Sequence, residues 1–178
     1  MRLIFYVRRL EGLRKGKEFR VVAFSDTHGS FRAMNRIFKK NGNADLFIFL
    51  GDGEKELEQI KKLYPQKNII SVAGNCDLDP DIPDSLVYTV PDGRKIFCTH
   101  GHEYGIYTSF DKVCYAAQEH GAEVILFGHT HERYYSYSDG LYIINPGSAA
   151  SPRDGLAPSY AFLDFTETGI LCSHVEVR

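Results

Sequence analysis

Five short apolar segments, each followed at once by polar residues, constrain the fold of this chain more than any other feature. The segments are VVAFS at Val21, LFIFL at Leu46, IISVA at Ile69, KIFCT at Lys95 and EVILF at Glu123. Continuous apolar runs of this length, rich in branched and aromatic residues, are typical of strands buried on both faces. Because helical or loop sequence separates them, the pattern predicts an α/β fold with covered sheets.

Three helices are predicted between these strands. The first places its apolar residues on one face before Gly42 ends it: Phe31, Met34, Ile37 and Phe38. A second helix is expected over residues 54–63 and a third over about 109–120, ahead of Gly121.

Hairpin signals dominate the second half of the chain. RYYSYSDGLYIIN, SYAFLDFTETGILCSHVEV and LVYTVPDGRKIFCT each pair two strand-like runs around a turn with glycine. We therefore expect mostly antiparallel strands there, in a second sheet that packs on the first.

Composition limits the classes of function. The 178 residues fit one domain, and no apolar run is long enough to cross a bilayer, so we expect a soluble protein without membrane contact. A net charge of -2 provides no field that would gather nucleic acid, and the acidic segment CDLDPDIPDS argues further against a long polyanion. An anionic substrate would therefore need a local cation.

The cysteines and the first residues bear on location. The four cysteines form no CxxC pair and no secretory leader precedes them, which predicts reduced thiols and a cytoplasmic protein. Residues 1–19 are basic, and their apolar part, LIFYV, is too short for a signal peptide. We interpret 1–19 as a basic extension and 20–178 as a single domain, with a membrane anchor or targeting segment as the alternative.

Each of the five predicted strands runs into side chains that bind metal ions. Because the carboxyl ends of strands in open α/β sheets line a shared crevice, residues distant in sequence converge there. Each short motif alone is close to noise, but four of the seven histidines fall at these strand ends, and this clustering predicts a metal site. The candidate ligands are Asp26, His28, Asp52, Asn75, His100, His129 and His131.

The number and type of these ligands indicate which metals would bind. Seven donors are too many for one tetrahedral zinc ion and suit two ions that share a carboxylate. Imidazole and oxygen donors without thiolate favour divalent transition metals over calcium or magnesium. We expect two such ions, with manganese as the first candidate and nickel, cobalt, iron or zinc as alternatives.

In order along the chain, DTH, GD, GNCD, THGH and GHTH resemble the motifs of the calcineurin-like metallophosphoesterase superfamily. With NPGS at residues 145–148, the sequence is most similar to its small YfcE-type phosphodiesterases. The resemblance covers about residues 20–178 and implies two facing mixed sheets flanked by helices, a four-layer αββα sandwich. It also implies the ligands: Asp26, His28 and His131 for one metal, Asn75, His100 and His129 for the other, and Asp52 as the bridge.

The resemblance also implies an activity. Members of the family hydrolyse phosphate esters by attack of a metal-bridging hydroxide on phosphorus, because two cations lower the pKa of water and neutralise the phosphoryl charge. Cys76 stands where many members have a histidine that assists the leaving group. A buried thiol is a poor acid, so we expect aryl phosphodiesters to react faster than alkyl monoesters. Alternatively, Cys76 only packs beside Asn75.

Several residues near the motifs have two interpretations. Asn75, His102 and Asp77 are the catalytic candidates: His102 would approach the phosphate or only orient its loop, and Asp77 would bond a ligand histidine or only cap a turn. Three aromatic residues would wall the leaving-group pocket or belong to the core: Tyr104, Tyr107 and Phe110.

Other functions remain open at this point. A protein-binding scaffold of the same fold, like the retromer subunit, is the first alternative, although it would have no need for the metal ligands. A nuclease of the same superfamily is the second. The expected partner is a small phosphate-ester substrate, and exposed hairpin edges could also pair two subunits in a homodimer.

Overall fold

All five apolar segments form strands, and the three predicted helices form as well. The computed structural model describes residues 3–6 and 18–178. The strands are β1 Leu3–Tyr6, β2 Phe19–Phe24, β3 Leu46–Phe49, β4 Ile69–Ser71, β5 Ser85–Thr89, β6 Lys95–Thr99, β7 Val124–Leu126, β8 Arg133–Ser138, β9 Leu141–Pro146, β10 Ser159–Thr166 and β11 Gly169–Glu176. The α-helices are α1 Phe31–Lys40, α2 Glu54–Leu63 and α3 Asp111–Glu119, and a short 3-10 helix covers His102–Tyr104.

The strands divide into two mixed sheets. One has the order β11-β10-β2-β3-β4 and the other β1-β5-β6-β7-β9-β8. The expectation that the second half of the chain forms a separate sheet is wrong in one respect, because β10 pairs antiparallel with β2 and carries β11 into the first sheet. Conversely, the apolar strands β6 and β7 pair in parallel within the second sheet.

Four layers result, and the predicted αββα sandwich is confirmed. The core between the two sheets contains inward residues of both, such as Ile48 and Ala23 from one and Leu126 from the other. On the outer face of the five-stranded sheet, α1 and α2 bury Met34, Ile37 and Leu57 against the strands, while α3 covers the six-stranded sheet. Because β2, β3 and β4 run parallel, as do β6 and β7, the polar residues at their carboxyl ends meet at one edge of each sheet.

The predicted extension lies largely outside the described residues. Of residues 1–19, the structure describes 3–6 as β1, which pairs in parallel with β5, residue 18, and residue 19 as the first residue of β2. The boundary at residue 20 stays a prediction. None of the described helices has the length and apolar character needed to span a membrane.

Candidate metal centre

The predicted ligands lie on five loops that follow β2, β3, β4, β6 and β7. Backbone hydrogen bonds join neighbouring loops within each sheet: the N–H of Asp26 donates to Gly51 O at 3.0 Å, and that of Gly128 donates to His100 O at 3.0 Å. The N–H of His129 donates to Asp26 Oδ2 at 3.2 Å and so links the loops of the two sheets. The convergence predicted from the sequence therefore occurs, although the strands belong to two sheets.

Asp26, His28 and His131 form the first group of donor atoms. The Nε2 atoms of the two histidines are 3.1 Å apart, and Asp26 Oδ1 lies 3.2 Å from that of His131. Such separations match neighbouring ligands of one ion, which stand about 3.3 Å apart at metal–ligand distances of about 2.1 Å. Asp26 Oδ1 is also buried without a hydrogen-bond partner. This unsatisfied oxygen fits a metal ligand.

Asp52, His100 and Asn75 form the second group. Asp52 Oδ2 lies 3.5 Å from His100 Nε2 and 3.6 Å from His28 Nε2, so it stands between the two groups. Asn75 Oδ1 is 3.2 Å from His100 Nε2. A side chain at Gly74 would place its Cβ 2.1 Å from Asp52 Oδ1, which explains the glycine before Asn75.

Two buried ligand histidines have their tautomers fixed by the backbone. His100 Nδ1 lies 2.6 Å from Leu50 O, and His131 Nδ1 lies 2.7 Å from Ser151 O. Because a carbonyl oxygen only accepts, each Nδ1 must carry the hydrogen. In the neutral imidazole, the form that binds metal, the lone pair of each Nε2 then points into the site.

His129 lies outside the two groups of closely spaced donor atoms. Its ring lies 5.1 Å from that of His100 and 5.2 Å from that of Tyr107. Among the described residues, the tight groups of carboxylate, imidazole and thiol donors include Cys76 with His28 and Asp52, and they leave His129 out. Its assignment to the second metal stays a prediction.

The backbone is strained at five of the seven predicted ligands. Asp26, His28, Asp52, His129 and His131 all have positive φ, between 40° and 68°. Each such non-glycine residue costs on the order of 1–3 kcal/mol and persists only where its surroundings enforce it. Within the described residues, the one other non-glycine residue with positive φ is in the β8–β9 turn, at Asp139. Strain concentrated in this way indicates a functional site.

Asp77 holds the loop of Asp52. Its Oδ2 accepts the N–H groups of Asp52 and Gly74 at 2.8 Å, and its Oδ1 accepts those of Gly53 at 2.8 Å and Glu54 at 2.9 Å. The carboxylate therefore contacts backbone instead of the ligand histidine that the sequence suggested, and the turn-cap alternative describes its hydrogen bonds. It also places a negative charge at the N-terminus of α2.

Sequence reasoning missed two other supports of the ligand loops. Glu56 is 5% exposed and accepts the N–H of Gly29 at 2.6 Å and the hydroxyl of Thr27 at 3.0 Å. Ser148 donates its hydroxyl to Asp26 O at 2.7 Å. The NPGS motif was a signal for Ser148, whereas Glu56 was one charge among several in α2.

The pKa shifts in the site favour the ionised form of the Asp52 carboxylate. Burial opposes ionisation of Asp52, but the hydrogen bond and positive charge of His100 hold its pKa well below the usual range. The contact with the Asp26 carboxylate, 3.2 Å away, raises the pKa of His131. Burial lowers the pKa of His102 and His129, and the charge of His100 adds to this effect. The buried negative charge is what a metal cation would neutralise.

Cys76 is exposed, so the expectation of a buried thiol is wrong. Its N–H donates to Asp52 Oδ1 at 2.9 Å, and Asn75 Nδ2 lies 3.4 Å from its sulfur. Desolvation and the charge of Asp52 raise the pKa of the thiol, which is therefore protonated at neutral pH. The packing beside Asn75 is confirmed.

The aromatic residues after His100 divide between core and site. Tyr104 packs edge-on against Phe97, and Phe110 packs against Phe127, as the core interpretation predicted. Tyr107 is 62% exposed and contacts the ring of His129, so it walls the site.

His102 lies beside the ligand histidines. Its ring is 5.4 Å from that of His100 and 6.0 Å from that of His129. Its Nδ1 is buried without a hydrogen-bond partner in the described structure.

Comparison with known sequences gives a consistent result. Residues 19–168 match the calcineurin-like phosphoesterase superfamily domain. The chain is 40% identical over 144 residues to a probable metallophosphoesterase of Bacillus subtilis, YsnB, a match that covers 80% of this chain and 82% of the relative. It is 27% identical over 165 residues to the phosphodiesterase YfcE of Escherichia coli, covering 79% of this chain and 84% of the relative.

Solved structures share the fold. A Streptococcus pneumoniae protein described as a predicted phosphoesterase superposes with a TM-score of 0.79 at 28% identity, over 91% of this chain and 94% of that one. Wild-type Vps29 from Entamoeba histolytica, solved with zinc, gives a TM-score of 0.67 at 19% identity, over 90% of this chain and 100% of that one. The second similarity shows the fold alone.

Proposed function

Because this chain belongs to the calcineurin-like phosphoesterase superfamily, we propose that it is a metal-dependent phosphodiesterase that hydrolyses small phosphodiesters. The observation that carries the proposal is the position of Asp52 between two groups of candidate ligand atoms, one around His131 and one around His100. A protein that only binds partners has no physical need for a buried carboxylate oxygen without a hydrogen-bond partner, such as Asp26 Oδ1.

The donor sets suit two divalent transition metals, of which manganese is the first to test. Asp26, His28 and His131 would hold one ion, and Asn75, His100 and His129 the other, with Asp52 shared. When bound, two such ions activate water for attack on phosphorus and neutralise charge on the phosphoryl oxygens.

The protein's own groups would fix the geometry of this reaction. The Nδ1–H groups of His100 and His131 anchor on carbonyl oxygens, so both imidazoles are oriented before the substrate binds. His102 is proposed to approach the substrate, since its ring lies beside those of His100 and His129. Asn75 would contact the phosphate through its exposed amide, and Asp77 would act by holding Asp52.

The leaving group decides the proposed substrate preference. Cys76 lies within the donor group of His28 and Asp52, yet its thiol is a weak acid with a raised pKa. It would protonate a leaving alkoxide poorly, because efficient general acids have pKa values near the working pH. Diesters with good leaving groups, such as aryl phosphodiesters, are therefore the proposed substrates. A cytoplasmic location and a homodimer remain proposals from the sequence.

A screen of metals against substrates tests the function. Chelator-treated protein is reloaded with Mn, Ni, Co, Zn or Mg and given a bis-aryl phosphodiester, an aryl monoester, an alkyl monoester and cyclic nucleotides. We expect the aryl diester to react fastest with at least one transition metal. His131→Ala should lose metal and activity with an unchanged circular dichroism spectrum, whereas the exposed Lys62→Gln should retain both. Lack of turnover with every pair would favour the scaffold alternative.

A further inference from the structure

An exposed arginine stands at the rim of the metal centre. Arg153 lies between β9 and β10, and its N–H donates to His131 O at 3.0 Å. Its Nη1 donates to the hydroxyl of Tyr107 at 3.1 Å, and that hydroxyl donates to His129 O at 3.2 Å. The side chain of Tyr107 thus connects the guanidinium to the loop that carries the predicted ligands His129 and His131.

The charge of Arg153 is not used by the fold. Four other arginines pair with a carboxylate within 3 Å: Arg20, Arg94, Arg133 and Arg178. Within the part of the chain that the structure describes, Arg153 has no carboxylate within 4.0 Å. The guanidinium is exposed beside the metal centre, so it is free to pair with an anion that enters from solvent.

The position of Tyr107 determines where the guanidinium of Arg153 lies. The phenol ring contacts the imidazole of His129 with a centroid distance of 5.2 Å, and its hydroxyl accepts the hydrogen bond from Arg153. The charge is therefore connected to the backbone of His129 by two successive hydrogen bonds through the Tyr107 hydroxyl. The loop after Cys76, by contrast, carries the acidic residues Asp79 and Asp81.

We propose that Arg153, positioned by Tyr107, binds a second negative charge on the substrate, on the ester arm that is not cleaved. This inference rests on the proposed phosphodiesterase function and narrows it to diesters whose remaining arm carries a carboxylate or phosphate. Guanidinium pairs with both groups through two parallel hydrogen bonds, and its positive charge disfavours a cationic arm at the same place.

Three p-nitrophenyl diesters test the inference, with second arms that are neutral phenyl, anionic carboxyphenyl or cationic trimethylammonioethyl. We expect kcat/KM to be highest for the anionic arm and lowest for the cationic one. Arg153→Gln should raise KM for the anionic arm about tenfold, with kcat changed less than twofold, and should flatten the ranking. Arg153→Lys should restore part of it. Tyr107→Phe, which keeps the ring and removes the hydroxyl, should weaken the ranking, and Lys62→Gln, which removes the same charge elsewhere, should keep it.

Calorimetric binding of phosphonate analogues with the same three arms provides a readout that does not depend on turnover. We expect the metal-loaded protein to bind the anionic analogue about tenfold more tightly than the neutral one, and Arg153→Gln to remove this difference. Failure of all substrates to react, with the ranking of analogues kept, would reject the proposed function alone. An unchanged ranking in Arg153→Gln, or an equal loss of kcat for all three arms, would overturn the role of Arg153.

Discussion

Replacing Asp77 by asparagine tests whether one carboxylate holds the loop of Asp52. Each carboxylate oxygen accepts two backbone N–H groups, at 2.8–2.9 Å. Asparagine keeps one acceptor oxygen and turns an NH₂ group towards the other two donors. Two hydrogen bonds are then lost, and two half-buried N–H groups face a donor.

The size of the effect follows from these contacts. Hydrogen bonds to a charged group contribute about 1.5–3 kcal/mol each, and a negative charge at a helix N-terminus adds about 0.3–1 kcal/mol. Loss of two bonds and of the charge predicts that Asp77→Asn lowers the free energy of unfolding by about 3–7 kcal/mol. Metal affinity should fall too, because Asp52 loses its fixed position.

Urea unfolding of the chelated protein, followed by circular dichroism, measures this change. Asp79→Asn is the matched control: it removes the same charge from the same loop, but its side chain accepts one N–H, from Asp81 at 2.9 Å. We expect the control to lose about 1 kcal/mol. If Asp77→Asn were within about 0.5 kcal/mol of the control, the reasoning about Asp77 would be refuted.

Two further predictions concern metal and pH. Adding Mn at about 100 times its dissociation constant should stabilise the chelated protein by about 2.7 kcal/mol, which raises the midpoint of thermal unfolding by about 5–10 °C; the absence of any shift with Mn, Co or Zn would contradict the metal centre. The hydrogen bond from Arg133 lowers the pKa of Asp154 to about 2. The contribution of this pair to stability is therefore present above about pH 4 and is lost as pH falls towards 2. Asp154→Asn should lower the free energy of unfolding by about 1 kcal/mol at pH 7, after allowance for solvent screening. In urea titrations below pH 4 the difference from the unsubstituted protein should become progressively smaller. A constant difference across this range would exclude Asp154 as the titrating partner.

Much of the fold follows from local sequence patterns. The apolar runs at Val21 and Leu46 became strands because their side chains have no polar face to expose, and α2 has the predicted bounds, 54–63. The candidate ligands were found because they follow these runs directly, and chain direction brings strand ends to a common edge. These features depend on residues that are close together in the sequence, so the sequence alone is enough to predict them.

The tertiary structure decided what depends on distant residues. Membership of β6 and β7 in the second sheet, the exposure of Cys76 and the four backbone contacts of Asp77 all arise from segments that meet only after packing. The hydrogen bond from Arg153 to Tyr107 joins positions 46 residues apart, and no local pattern marks it. The sequence by itself determined which side chains reach the edge of the sheets, because strand periodicity is local. Packing alone determined which of them touch, because contacts between loops depend on the arrangement of both sheets.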